Sequence, residues 1–120
     1  MKTILVVDDD PELREALVAI LAEPGYTVLA ASNGYEALGI LVERVVDLLL
    51  TDVRMPGIDG FEFARAAKLM RPYLHIVYIS GQEIDADLRA GPTYGRVIRK
   101  PLRAGELLRE VDRELASEPS

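Results

Sequence analysis

Residues Val46–Thr51 form a nearly unbroken apolar run, Val-Asp-Leu-Leu-Leu-Thr, closed by Asp52. A strand without polar–apolar alternation is buried on both faces, as happens in a parallel sheet covered by helices above and below. The rest of the chain fits that demand. Residues 3–7 (TILVV) are apolar and β-branched and stop at Asp8-Asp9-Asp10-Pro11, where Asp10 suits an N-cap and Pro11 a first helical position. Leu13, Leu17, Ile20 and Leu21 then follow at helical spacing until Pro24-Gly25. Tyr26–Ala31 reads as a second strand. Asn33, with Glu36 three residues on, marks a helix start, with Ala37, Leu38, Leu41 and Val45 along one face.

After the 55–60 loop, Phe63, Ala67 and Met70 give a third helical face that stops near Pro72. His75–Ile79 is a fourth strand, Glu83–Ala90 a short helix, and Arg96–Arg99 a fifth strand. Leu107, Leu108, Val111 and Leu115 define the last helix, and Ser117–Ser120 reads as a frayed end. Five strand–helix units predict an α/β fold, a doubly wound five-stranded parallel sheet with right-handed crossovers.

The 120 residues suit one domain, with no repeat or linker left for a second module, so residues 1–120 are expected to be a single unit without an output domain. Fourteen Lys and Arg against 20 Asp and Glu give a net charge of −6. That balance speaks against binding nucleic acid through its backbone and against an anionic membrane surface. There is no cysteine, so disulfides, thiolate metal sites and a thiol nucleophile are excluded. The apolar runs are short of a membrane span, and the N-terminus turns acidic too soon for a signal peptide, which makes the cytoplasm the expected compartment.

In sheets of this kind, ligands sit beyond the carboxyl ends of the strands. Asp8, Asp9 and Asp10 follow the first strand, Asp52 the third, Ser80-Gly81 the fourth and Lys100-Pro101 the fifth. Any one Asp in a loop is explained by turn and cap chemistry alone, and Asp10 fits that reading. The set is harder to explain that way. Crowded carboxylates oppose each other's ionisation unless a cation sits among them. Donors that are all oxygen select a hard cation, Mg2+ or Mn2+. Lys100 suits phosphate oxygens, and Ser80 offers a hydroxyl. Such a site can transfer a phosphoryl group onto a carboxylate, with Asp52 the best nucleophile and Asp8 and Asp9 on the metal.

The ordered set resembles the receiver domain of two-component response regulators over essentially the whole chain. The markers are Val7-Asp8-Asp9-Asp10-Pro11, Gly25-Tyr26-Thr27-Val28, residues 31–38 (ASNGYEAL), residues 47–60 (DLLLTDVRMPGIDG), Ile79-Ser80-Gly81 and Lys100-Pro101. The resemblance implies a flavodoxin-like (βα)5 fold with strand order 2-1-3-4-5. Asp52 matches the phosphoacceptor, fed by a sensor histidine kinase or a histidine phosphotransfer protein. Asp8 and Asp9 match the Mg2+-binding pair, Asp9 directly and Asp8 through water, and the backbone carbonyl of Arg54 matches a further ligand. Ser80 and Lys100 match the residues that meet the phosphoryl oxygens, and Pro101 a proline whose preceding bond is usually cis.

The output would be a surface formed by the fourth helix, fifth strand and fifth helix, acting on a downstream protein target or as a homodimer contact. Such a domain is a phosphoacceptor switch, not a turnover enzyme. Its chemistry is confined to its own phosphorylation and dephosphorylation.

Two features depart from that family. Its switch aromatic, three residues before the lysine, is replaced by Val97, and Tyr94 does not fall at the motif position. The stretch after Ser80 lacks the usual small-residue pattern, which implies a remodelled signalling surface. Arg54 and Gln82 are candidates to flank the phosphoryl group, and His75 reads as structural. Three other readings remain open. A Mg-dependent phosphohydrolase resembling the haloacid dehalogenase class uses an Asp after the first strand, but this chain has Glu12 where that motif has Thr or Val. A flavodoxin-like flavin carrier would need a phosphate loop where three aspartates stand. A pseudo-receiver would not need the intact acidic set.

Overall fold

The computed structural model describes residues 1–81 and 94–117. Its five strands are β1 (Thr3–Val7), β2 (Thr27–Ala31), β3 (Leu48–Asp52), β4 (His75–Ser80) and β5 (Gly95–Arg99). They form one parallel sheet in the order β2-β1-β3-β4-β5. The described helices are α1 (Pro11–Ala22), α2 (Gly34–Glu43), α3 (Gly60–Met70) and α4 (Ala104–Ala116). The helix expected at Glu83–Ala90, Gln82 and the last three residues lie outside the described residues.

The sheet separates two apolar layers. Leu5, Val7, Leu49, Ile76 and Tyr78 pack against Ala37 and Leu41 of α2 and Phe63, Ala64 and Ala67 of α3. Ile4, Val6, Leu48, Leu50 and Val77 face the other way, onto Leu17 and Leu21 of α1 and Leu107 and Val111 of α4. Successive side chains of a strand point to opposite faces. The central strands are covered on both, so their sequences cannot alternate.

The helix starts follow local chemistry. The Asp10 carboxylate accepts the backbone N–H of Glu12 at 3.0 Å, ahead of Pro11 at the first helical position. Asn33 and Asp59 accept the N–H groups of Glu36 and Glu62 at 2.8 and 2.9 Å. Helix α2 corrects one expectation, because it ends at Glu43 and does not carry its apolar face through Val45. Arg44 is extended (φ −125°, ψ 144°), which turns the chain out of the helix and leaves Val45 81 % exposed. Strand β3 begins at Leu48, two residues later than the apolar run, although Val46 is buried.

The parallel ladder runs one residue past the strands at the end that matters. Asp8 N–H donates to the Ala31 carbonyl (3.2 Å), Val53 N–H to Ile79 (3.1 Å) and Lys100 N–H to Ser80 (2.8 Å). The residues that close the apolar runs are thus fixed to one edge by backbone bonds. His75 starts β4 at the opposite edge, its Nδ1 3.0 Å from the Glu114 carboxylate. Arg96 of β5 shares that carboxylate at 3.3 Å, so His75 joins β4 to α4, a structural role.

Candidate functional site

Four segments converge at the carboxyl edge of the sheet. Asp8 follows β1, Asp52 ends β3, Ser80 ends β4 and Lys100 follows β5. Asp8, Asp9 and Asp52 each place a carboxylate oxygen within 4.8 Å of the others. Asp8 is fully buried, Asp52 is 6 % exposed and Asp9 faces solvent. Lys100 Nζ lies 3.4 Å from Asp52 Oδ2, and Asp52 Oδ1 accepts the Arg54 N–H at 3.3 Å. Asp8 Oδ1 accepts the Asp10 N–H at 2.9 Å.

The cluster is electrostatically unfinished. Burial pushes the Asp8 carboxyl above its ordinary range. The Asp10 N–H opposes this, the charge of Asp52 adds to it, and Lys100 opposes it. Burial likewise raises Asp52, against Lys100 and the Arg54 N–H. Asp8 Oδ2 is buried with no hydrogen-bond partner among the described residues. A buried carboxylate oxygen left unpaired is costly. A hard divalent cation would satisfy that oxygen and offset the mutual repulsion, so the residues present fit one. Ser80 is buried, and its Oγ also lacks a partner among the described residues. The Lys100–Pro101 peptide bond is cis. Val97 is half-buried on β5, opposite Tyr78 of β4.

The sequence reading missed two contributors. Arg14, one turn into α1, donates Nη1 to the Asp8 carbonyl at 2.8 Å and so anchors the strand end to the helix. The available signal was its place four residues after the N-cap, Asp10, on the turn nearest the carboxylates. Gly60 is the second. A Cβ there would lie 2.3 Å from the Asp52 carbonyl oxygen and 2.7 Å from Val53 Cα, so α3 presses its first residue onto the strand that carries Asp52. Gly60 closes the 47–60 motif, but its residue type alone gives no sign of that contact.

The sequence profile of the response regulator receiver domain matches residues 4–112. The chain belongs to this family. The receiver is 38% identical over 118 residues to the response regulator receiver protein CpdR of Brucella abortus, covering 96% of this chain and 98% of that protein. It is 39% identical over 112 residues to the transcriptional regulatory protein AruR of Pseudomonas aeruginosa, covering 88% of this chain but only 46% of AruR. Among solved structures, the response regulator TrrA of Thermotoga maritima, in complex with Mg(2+)-BeF, superposes with a TM-score of 0.83 at 35% identity, over 94% of this chain and 98% of TrrA. These likenesses give no support to the phosphohydrolase alternative. No helix among the described residues is long and apolar enough to cross a membrane.

Proposed function

We propose that this receiver takes a phosphoryl group on Asp52 from the phosphohistidine of a sensor histidine kinase or a histidine phosphotransfer protein. The observation that carries the reading is the meeting of three carboxylates within 4.8 Å beside the Lys100 ammonium. An Asp52 carboxylate oxygen forms a bond to phosphorus as the phosphorus–nitrogen bond to the donor imidazole breaks, and the imidazole leaves neutral once protonated. Asp8, Asp9, Asp52 and the backbone carbonyl of Arg54 would hold Mg2+, with Mn2+ as an alternative occupant. When bound, the cation supplies charge stabilisation for the transferring phosphoryl oxygens.

Lys100 pairs with those oxygens as a second cation, and the Ser80 hydroxyl donates to one of them. Aspartyl phosphate carries about −1.5 to −2 charges at this edge, in place of the single charge of the carboxylate. Lys100 and Ser80 sit on, or next to, the ends of β5 and β4, so their movement toward the new charge would bias the neighbouring surface. The family's switch aromatic is absent at Val97, so the bias runs through contacts other than a rotating ring at that position. Likeness to CpdR over 98% of its length supports output through the receiver's own surface, on a protein partner or a second copy.

The test is incubation with a small phosphodonor and Mg2+, followed by intact mass. One phosphoryl adduct is expected, absent in Asp52→Asn and absent with chelator. An adduct that persists in Asp52→Asn removes the assignment of the acceptor.

A further inference from the structure

At the edge of the sheet away from the carboxylates, a groove of about 330 Å3 lies where β3 and β4 begin and α2 and α3 end. Two of its walls are large apolar side chains that stand in water, Val45 at 81 % exposure and Tyr73 at 78 %. Val42 and Leu69, also exposed, lie in the last turns of α2 and α3. Arg71 ties those turns together, donating Nη2 to the Leu41 carbonyl at 2.8 Å and Nη1 to the Met70 carbonyl at 3.2 Å. Four of the seven large apolar side chains exposed among the described residues therefore gather at this end. A clustered exposed apolar surface marks a binding face more often than scattered residues do.

The charge there runs against the chain as a whole. Lys2, Arg44, Lys68 and Arg71 belong to this end, and none forms an ion pair with a carboxylate among the described residues. Lys68 and Arg71 bond only to carbonyls, which leaves their charges unneutralised. The nearby acids are Glu43, Asp47 and Glu114; Asp47 already accepts the Thr3 N–H at 2.8 Å, and Glu114 lies 3.0 Å from His75 and pairs with Arg96 at 3.3 Å. Net positive charge thus sits around an apolar groove in a chain of net charge −6.

We propose that this groove docks an acidic peptide segment of a partner protein. One aliphatic or aromatic side chain of the segment would seat against Val45 and Tyr73, with carboxylates facing Lys2, Arg44 and Arg71. The apolar walls match a peptide side chain, and the few cations of this end match a segment with two or three carboxylates better than the continuous phosphate charge of a nucleic acid. The groove opens at the starts of β3 and β4 and the phosphoryl site at their ends, so the two can be occupied independently. The proposal therefore stands or falls apart from the reading of Asp52.

Random-peptide display against the intact chain tests it, followed by affinity measurement of the recovered peptides by fluorescence anisotropy. Recovered sequences are expected to combine Asp or Glu with a large apolar residue. Tyr73→Ser and Val45→Ser are each expected to weaken binding about tenfold. Lys2→Glu and Arg44→Glu should weaken it further at low salt than at high salt. All four side chains are exposed, so melting temperature and adduct formation on Asp52 should be unchanged. Recovery of no peptide, recovery without acidic residues, or affinities indifferent to the four variants overturns the proposal. Binding to anionic vesicles or to a single-stranded oligonucleotide that only these variants lose would give the groove to a lipid or nucleic acid instead. Self-association lost in Tyr73→Ser would give it to a second copy.

Discussion

Gly60→Ala is expected to destabilise the domain by roughly 3 kcal/mol and to cut phosphoryl capture at Asp52 sharply. Gly39→Ala is expected to stabilise it by about 0.5–1 kcal/mol. Both glycines are helical, Gly60 opening α3 and Gly39 inside α2. Helix propensity alone would favour alanine at either. Their surroundings separate them. A Cβ at Gly39 meets nothing within 4 Å, whereas one at Gly60 meets the Asp52 carbonyl oxygen at 2.3 Å and Val53 Cα at 2.7 Å. Those are backbone atoms of the strand end, which cannot rotate aside as a side chain can. The helix must back away, at the cost of the 2.7 Å bond from Gly60 N–H to the Val53 carbonyl, or the strand end must move with Asp52 on it. Urea unfolding reads the stability change, and intact mass after phosphodonor treatment reads capture. Equal stabilisation by both alanines would mean that α3 does not press on β3.

The sheet was legible because burial on both faces leaves a direct mark. Leu48, Leu49 and Leu50 must all be apolar when α2 and α3 cover one face and α1 and α4 the other. The starts of α1 and α2 were legible because Asp10 and Asn33 carry their capping oxygens in the sequence itself, whereas Asp59, which caps α3, was read only as part of the 55–60 loop. The acidic set was legible because polar residues stop each apolar run at the same edge. Val45 misled because a helical repeat continues on paper past the point where Arg44 leaves the helix. Arg14 and Gly60 were missed for a different reason. Each matters through one contact with the backbone of another segment, and backbone contacts leave no pattern in residue type.

Without divalent cation, Asp52→Asn is expected to melt higher than the parent at neutral pH, and in saturating Mg2+ the order should reverse. The first half follows from the sign of the Asp52 shift. Burial raises its folded pKa above the ordinary 3.8, so the folded state holds the proton to higher pH than the unfolded chain does. Stability from this group is therefore fully present below 3.8 and is lost as pH rises through the raised value. At neutral pH the native state carries a buried charge that the amide lacks. Lys100 loses its partner in the variant, but its side chain is 38% exposed and water replaces most of that interaction. The advantage of Asp52→Asn in chelator should shrink as pH is lowered toward 3.8, each kcal/mol moving the midpoint by about 4 °C.

The reversal follows from mass action. Free Mg2+ at about 100 times its dissociation constant stabilises the parent by about 2.7 kcal/mol. The variant, short of one carboxylate ligand, gains less. Differential scanning calorimetry of both proteins across pH, with chelator and with Mg2+, checks both halves. A stability gap independent of pH would mean that the Asp52 charge is not what the metal-free fold pays to bury. An order unchanged by Mg2+ would remove Asp52 from the metal site while leaving its role as phosphoryl acceptor to the mass measurement.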